Sequence, residues 1–159
     1  MVGMAVERSF RGESPDDRRA RRRSALLAAG LEVAGSSGLG QLTMISVCER
    51  SGLTQRYFYE HFRNRDDFLG ALFETIFEQM FDDVRIRVAQ APSGLVEVAR
   101  AAVAGLVDFY AADPRVARIW IEANGDQAVG ERRAEAVHKV TGFAVEQAER
   151  IRGPFTPVQ

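Results

Sequence analysis

A glycine between two short helical segments is the feature that most restricts the fold of this sequence. Thr43 can cap a helix over residues 44–51, and Thr54 can cap another over residues 55–61. Gly52 can end the first helix because glycine adopts positive φ without a steric penalty. The apolar Leu53 follows as the turn residue that faces the core. Two short helices joined by so tight a turn are typical of a helix-turn-helix motif; an ordinary structural corner between helices is the alternative.

The second of these helices carries aromatic rings and polar groups together. Phe58 and Phe62 can anchor it to a core, which leaves the polar side chains facing outwards. In a major groove, Gln55 can present a bidentate amide to adenine and Arg56 a fork to guanine. The remaining polar groups suit phosphate oxygens or a thymine methyl. The side chains that we predict to contact DNA are Thr43, Thr54, Gln55, Arg56, Tyr57, Tyr59 and His61.

The rest of the chain predicts an all-α fold. Apolar residues recur at steps of three and four along a long fourth helix that follows Asn64, which can cap it. Further helices are expected over residues 95–112, after Pro114 and around residues 136–151, and the one over 95–112 is apolar enough to be buried. We divide the chain into a mobile arm (1–15), a helix-turn-helix domain (16–65) and a helical ligand-binding and dimerisation domain (66–159).

Charge and composition narrow the function further. The net charge of −1 hides an asymmetry, because residues 1–65 carry +4 and residues 66–159 carry −5. A basic first part fits a polyanionic partner. The single cysteine, the lack of a signal peptide and the lack of a membrane-length apolar run favour the cytoplasm and no membrane partner. No metal-binding set, cofactor motif or nucleophile–base pair is evident, so we expect no metal, no cofactor and no enzymatic activity.

Residues 26–72 resemble the N-terminal domain of the tetracycline-repressor (TetR) family of bacterial regulators. The resemblance rests on "LLAAGLEVAGSSGLGQLT", on "GLT" at 52–54 and on "YEHF" at 59–62, with "DPRVARIWIEA" similar to a later family segment. It implies that Arg65 replaces a lysine that contacts phosphate. Ala34, Ile45 and Tyr57 depart from the usual pattern. The resemblance also implies a repressor that binds a palindromic double-stranded operator as a homodimer. Compared with the family, we expect the last two helices to be missing from this sequence.

The family resemblance further implies a small-molecule effector bound among the later helices. Aromatic residues are frequent there, and we predict an apolar pocket, although a packed core of the same rings is the alternative. An effector that favours one tilt of the long fourth helix would change the separation of the two helix-turn-helix domains in a dimer. A helical ligand-binding or adaptor protein without DNA binding is the alternative function. The side chains that we predict to contact the effector are Phe73, Phe77, Phe109, Trp120, Asn124 and Phe143.

Overall fold

The computed structural model describes residues 14–152, and this range is helical, without a β-strand. The prediction of an all-α fold is therefore confirmed. Of the predicted N-terminal arm, residues 1–13 lie outside the described range, whereas Ser14 and Pro15 begin the first helix. The helices are α1 (Pro15–Ser37), α2 (Met44–Ser51), α3 (Gln55–Tyr59), α4 (Arg65–Gln90), α5 (Leu95–Ala112), α6 (Pro114–Ala123) and α7 (Gly130–Arg152). Short 3-10 turns at Leu39–Gln41 and Gln127–Val129 precede α2 and α7.

Local side-chain chemistry sets the ends of the helices around the motif. The Thr43 hydroxyl accepts a hydrogen bond from the Ser46 N–H, and the Asn64 side chain accepts one from the Asp67 N–H, so the predicted caps of α2 and α4 are confirmed. Gly52 has φ 68° and ψ 16°, the predicted left-handed conformation. These residues therefore fix where α2 begins and ends and where α4 begins.

Two details of the motif differ from the prediction. The α3 helix ends at Tyr59 rather than at residue 61, because the His61 N–H donates to the Phe58 carbonyl and tightens the last turn. Thr54 precedes α3 with extended backbone, but its side chain makes no capping hydrogen bond. The α3 helix is therefore only five residues long, and its stability depends on tertiary contacts.

The α4 helix joins two hydrophobic cores. Its first half, with Phe68 and Leu72, packs into a core shared with α1, α2, α3 and α6. Its second half, with Met80 and Val84, packs into a smaller core shared with α5 and α7. A helix of 26 residues spans about 39 Å. A single rigid element thus contacts both the motif and the bundle.

The prediction that α5 is buried was wrong. Only Val98 and Gly105 are buried on this helix, while Val96 and Val103 are more than half exposed. The physical reason is that α5 packs on α4 along a single stripe, where Gly105 lies against Val84 and Arg87. Apolar residues on the neighbouring face of α7 are exposed as well.

Close packing of α1 on α4 requires a glycine at position 30. A Cβ atom there would lie 2.5 Å from the Phe68 ring, inside the core. We expect Gly30→Ala to lower the free energy of unfolding by about 1–3 kcal/mol through overpacking, despite the gain in helix propensity. Gly142→Ala, on α7 with open space around it, should instead raise this free energy by up to about 1 kcal/mol. Urea denaturation measures both variants, and equal stabilisation by both would contradict the close α1–α4 contact.

Candidate nucleic-acid interface and apolar cavity

A single buried ring positions α3. Phe58 is 1% exposed, and its ring centroid lies 5.5 Å from that of Phe62 and 5.3 Å from that of Phe68. The α3 helix has no other fully buried side chain. The orientation of the helix, and of every polar group on it, therefore follows from the packing of Phe58.

The polar face of α3 is open to solvent. Thr54, Gln55, Arg56 and Tyr59 are exposed, as is Thr43 at the start of α2. The Arg56 side chain is 86% exposed and Tyr59 is 57% exposed. The chain thus presents an amide, a guanidinium and a phenol side by side on one short helix, which is the set of groups that reads base edges and phosphates.

The N-terminal half of α1 forms one wall beside this face, and its arginines are not among the side chains predicted from the sequence to contact DNA. The Arg22 guanidinium lies 4.6 Å above the centre of the Tyr57 ring, and the Arg23 guanidinium lies 5.6 Å from the Phe62 ring. Tyr57 is half-buried beneath this arginine, so only part of its ring faces outwards. The run of arginines at 18–23 was the available signal in the sequence.

His61 is half-buried behind α3, and its Nε2 atom has no hydrogen-bond partner among the described residues. Burial lowers the pKa of the His61 imidazole, and the positive charges of Arg19 and Arg22 lower it further. The ring is therefore neutral near pH 7. It therefore lacks the positive charge with which a protonated histidine would attract a phosphate.

Arg65 is largely occupied within the protein. Its Nε donates to the Leu42 carbonyl at 2.9 Å, and its Nη2 donates to the Leu39 carbonyl at 3.0 Å. Its Nη1 lies 3.8 Å from an Asp126 carboxylate oxygen. The side chain thus ties the start of α4 to the turn before α2, and its predicted contact with phosphate stays a prediction.

The α6 helix holds the same turn from the other side. The Glu122 carboxylate accepts a hydrogen bond from the Leu39 N–H at 2.7 Å, while Arg118 donates to the Ser36 carbonyl at 2.8 Å. The two side chains also pair with each other at 2.7 Å. The hydrogen bond from Arg118, followed by that from Leu39, holds the pKa of Glu122 below its usual value. The helices α1 to α3, called the head below, are therefore attached to the bundle of later helices by α6 as well as by α4.

An apolar cavity of about 390 Å³ lies between α4, α5 and α7. It opens at Leu95, Val103, Leu106 and Val140, which are all at least 40% exposed. Gln147 is its one polar lining residue, and the Oε1 atom of this side chain is buried without a partner among the described residues. The other lining residues are Met80, Phe81, Val84, Val88, Val98, Ala99, Ala102, Phe143, Ala144 and Ala148.

Of the six predicted effector contacts, only Phe143 lines this cavity. Trp120 stacks on Phe73 with centroids 4.7 Å apart, inside the contact between α4 and α6. Phe77 is buried in the second core, and Phe109 packs against both cores. Asn124 accepts a hydrogen bond from Arg133 at the end of α6. The structure therefore brings Phe73 and Trp120 together, and it separates them from the space around Phe143.

No group of three or more His, Cys, Asp or Glu side chains within residues 14–152 is placed to hold a metal ion. No helix in the same range is long and apolar enough to cross a membrane.

A short helix with an exposed polar face, packed against α1 and α2 and followed by a long helix that leads to a second bundle, is the arrangement of a helix-turn-helix DNA-binding domain. Residues 26–72 match the family model "Bacterial regulatory proteins, tetR family". The similarity to these regulators therefore lies in the helix-turn-helix part of the chain, from α1 to the start of α4. Among curated proteins, none matches the chain.

Solved structures share the fold along most of the chain. A TetR family transcription regulator from Marinobacter aquaeolei VT8 is 18% identical with a TM-score of 0.74, and the match covers 85% of this chain and 72% of that one. A putative regulator from Shewanella sp. PV-4 is 18% identical with a TM-score of 0.71, covering 81% and 69%. The fatty acid degradation regulator FadR from Bacillus halodurans is 19% identical with a TM-score of 0.69, covering 80% and 69%. At these identities the likeness concerns the fold alone.

Proposed function

We propose that this transcriptional regulator is a repressor that binds a palindromic operator as a homodimer and is released by a small apolar effector. The observation that carries the proposal is the continuity of α4. This helix begins at Arg65, beside the reading helix, and its residues Met80 to Val88 form a wall of the apolar cavity. An effector that prefers one position of this wall shifts the equilibrium between two tilts of α4.

The proposed DNA contacts follow from exposure and chemistry. Gln55 and Arg56 read base edges at the start of α3, and the exposed Thr43, Thr54 and Tyr59 contact the backbone. Tyr57, His61 and Arg65 are less exposed, and their contacts with the backbone or a thymine methyl are proposed from their chemistry alone. Two such heads must lie about 34 Å apart to meet successive major grooves, which requires two copies of the chain. The exposed apolar residues of α5 and α7 support association, because contiguous apolar surface of this kind favours burial.

The proposed effector is apolar apart from one hydrogen-bonding group. The cavity walls consist of aliphatic and aromatic carbon, and the unpartnered amide of Gln147 is the one group that can fix the orientation of a ligand. Support also comes from proteins of the same fold. One is the multidrug binding protein EbrR, solved in complex with imidazole, with a TM-score of 0.64 and 18% identity.

The first experiment selects bound fragments from a random duplex library with the wild type and with the Arg56→Ala, Tyr59→Ala double variant. We expect the wild type to enrich a palindrome and the double variant to enrich none, since both replaced side chains are exposed and the fold does not need them. If a folded wild type also enriches nothing, sequence-specific DNA binding is refuted.

The second experiment tests the cavity with the fluorescent apolar probe 1-anilinonaphthalene-8-sulfonate. We expect the probe to bind and to lower affinity for the selected operator. Ala102→Phe, on the cavity wall, should weaken probe binding about tenfold by filling the space, and Ala111→Phe, an exposed position of the same helix, should not. Probe binding that leaves operator affinity unchanged would contradict release by an effector in this cavity.

A further inference from the structure

Glu60, the residue after α3, accepts contacts from three arginines of two helices. One carboxylate oxygen lies 3.7 Å from Nη2 of Arg22, and the other lies 3.5 Å from Nε of Arg56. The main-chain carbonyl of Glu60 accepts a hydrogen bond from Nη2 of Arg19 at 3.3 Å. The carboxylate of Glu60 therefore links Arg22 of α1 to Arg56, the arginine that faces the solvent on α3.

The two guanidinium groups differ in what else holds them. Arg22 is 25% exposed and is also fixed by the Tyr57 ring beneath it. Arg56 is 86% exposed, and its ion pair with Glu60 restrains the orientation of its guanidinium. An arginine recognises guanine through a planar fork, so its contribution to specificity depends on that orientation.

The same carboxylate has a second effect on DNA. A negative charge beside α3 repels the phosphate backbone whatever the base sequence, and it neutralises part of the charge of Arg22 and Arg56. Glu60 thus weakens the contacts that every DNA sequence offers. By holding Arg56, Glu60 preserves the contact with guanine, which only some DNA sequences offer.

We infer that Glu60 is a specificity-determining residue of the DNA interface: it holds Arg56 and Arg22 in place and disfavours binding to non-cognate DNA. This inference rests on the proposed reading of base edges by Arg56. Glu60 itself reads no base in this scheme and acts through the two arginines.

The test compares the wild type with Glu60→Gln on two duplexes, the library-selected sequence and a scrambled version of it, over a series of salt concentrations. We expect affinity of the variant for the scrambled duplex to rise about two- to fivefold. The salt slope should steepen by about 0.9, because Arg22 becomes free to contact a phosphate. The ratio of the two affinities should fall about fivefold or more, because Arg56 loses its fixed orientation. The variant keeps the main-chain acceptor for Arg19, so α1 and α3 stay docked.

Glu49→Gln is the matched control, because Glu49 is an exposed carboxylate of the head that lies on α2 instead of α3. If it produces the same loss of discrimination, the effect is one of net charge and the inference is overturned. A proportional loss of affinity for both duplexes, with a lower unfolding midpoint, would indicate a merely structural role and would also overturn it. Failure of the wild type to select any sequence would instead refute the proposed function, which separates the two failures.

Discussion

Replacing Phe58 with alanine should lower the free energy of unfolding by about 3–5 kcal/mol, as expected for a buried aromatic ring whose removal leaves a cavity. The ring is 1% exposed and contacts those of Phe62 and Phe68 at the centre of the head. DNA binding should disappear with it, because a helix of five residues does not hold its shape without tertiary contacts. Urea denaturation followed by circular dichroism, with a binding titration on the selected operator, measures both effects.

Tyr59→Ala is the informative control for this variant, since the two rings are adjacent in sequence but face opposite ways. Tyr59 is 57% exposed and touches Phe58 only edge-on, at 5.7 Å between centroids. Its removal should cost less than about 1 kcal/mol of stability while weakening operator binding. If Phe58→Ala bound the operator as the wild type does, α3 could not be the reading helix that this ring positions.

The turns of the motif could be predicted from sequence because their chemistry is local. Thr43, Gly52 and Asn64 each act within three or four residues of their own position, by a capping hydrogen bond or by a backbone angle. Such signals do not depend on where the rest of the chain lies. For the same reason the bounds of α2 and α5 could be predicted to the residue.

Burial of α5 could not be predicted, because composition does not show how many neighbours a helix has. Val96 and Val103 are as apolar as the buried Val98, yet within the described range α5 is covered mainly where it meets α4, and to a lesser extent where it meets α6 and α7. Exposure here depends on long-range packing, for which a single sequence has no local signal. The apolar composition of a helix is thus compatible with burial in a core and also with an exposed apolar surface.

The effector contacts predicted from the sequence are mostly aromatic, whereas the walls of the apolar cavity between α4, α5 and α7 are mostly aliphatic. Large rings fill space: Phe73 and Trp120 stack on each other and leave no room between them. Empty space arises where small side chains face one another, and the cavity walls contain Ala99, Ala102 and Ala144. Alanines at a step of three along α5, opposite those of α7, are the sequence signal of this cavity. Reading that signal requires knowing that the two helices face each other.

Arg65 is the position at which the family resemblance and the geometry lead to different expectations. The resemblance implies a phosphate contact, which a lysine would make equally well as a point charge. The geometry indicates a structural brace between α4 and the turn before α2. The guanidinium donates hydrogen bonds to the Leu39 and Leu42 carbonyls at the same time, and it lies beside Asp126. A lysine ammonium cannot span two carbonyls with the planar geometry of a guanidinium.

Arg65→Lys should therefore lower the free energy of unfolding by about 1–2 kcal/mol, as expected for the loss of a charged hydrogen bond to a partly exposed carbonyl. Operator affinity should fall with it, although the charge is unchanged, because the turn that leads into α2 loses its anchor. Arg63→Lys is the matched control: that side chain is 88% exposed and pairs only at the surface with Asp67, so neither quantity should change. If Arg65→Lys retains full stability and full operator affinity, the residue acts through its charge alone. The Glu122 and Arg118 contacts of α6 would then hold the head to the bundle without this brace.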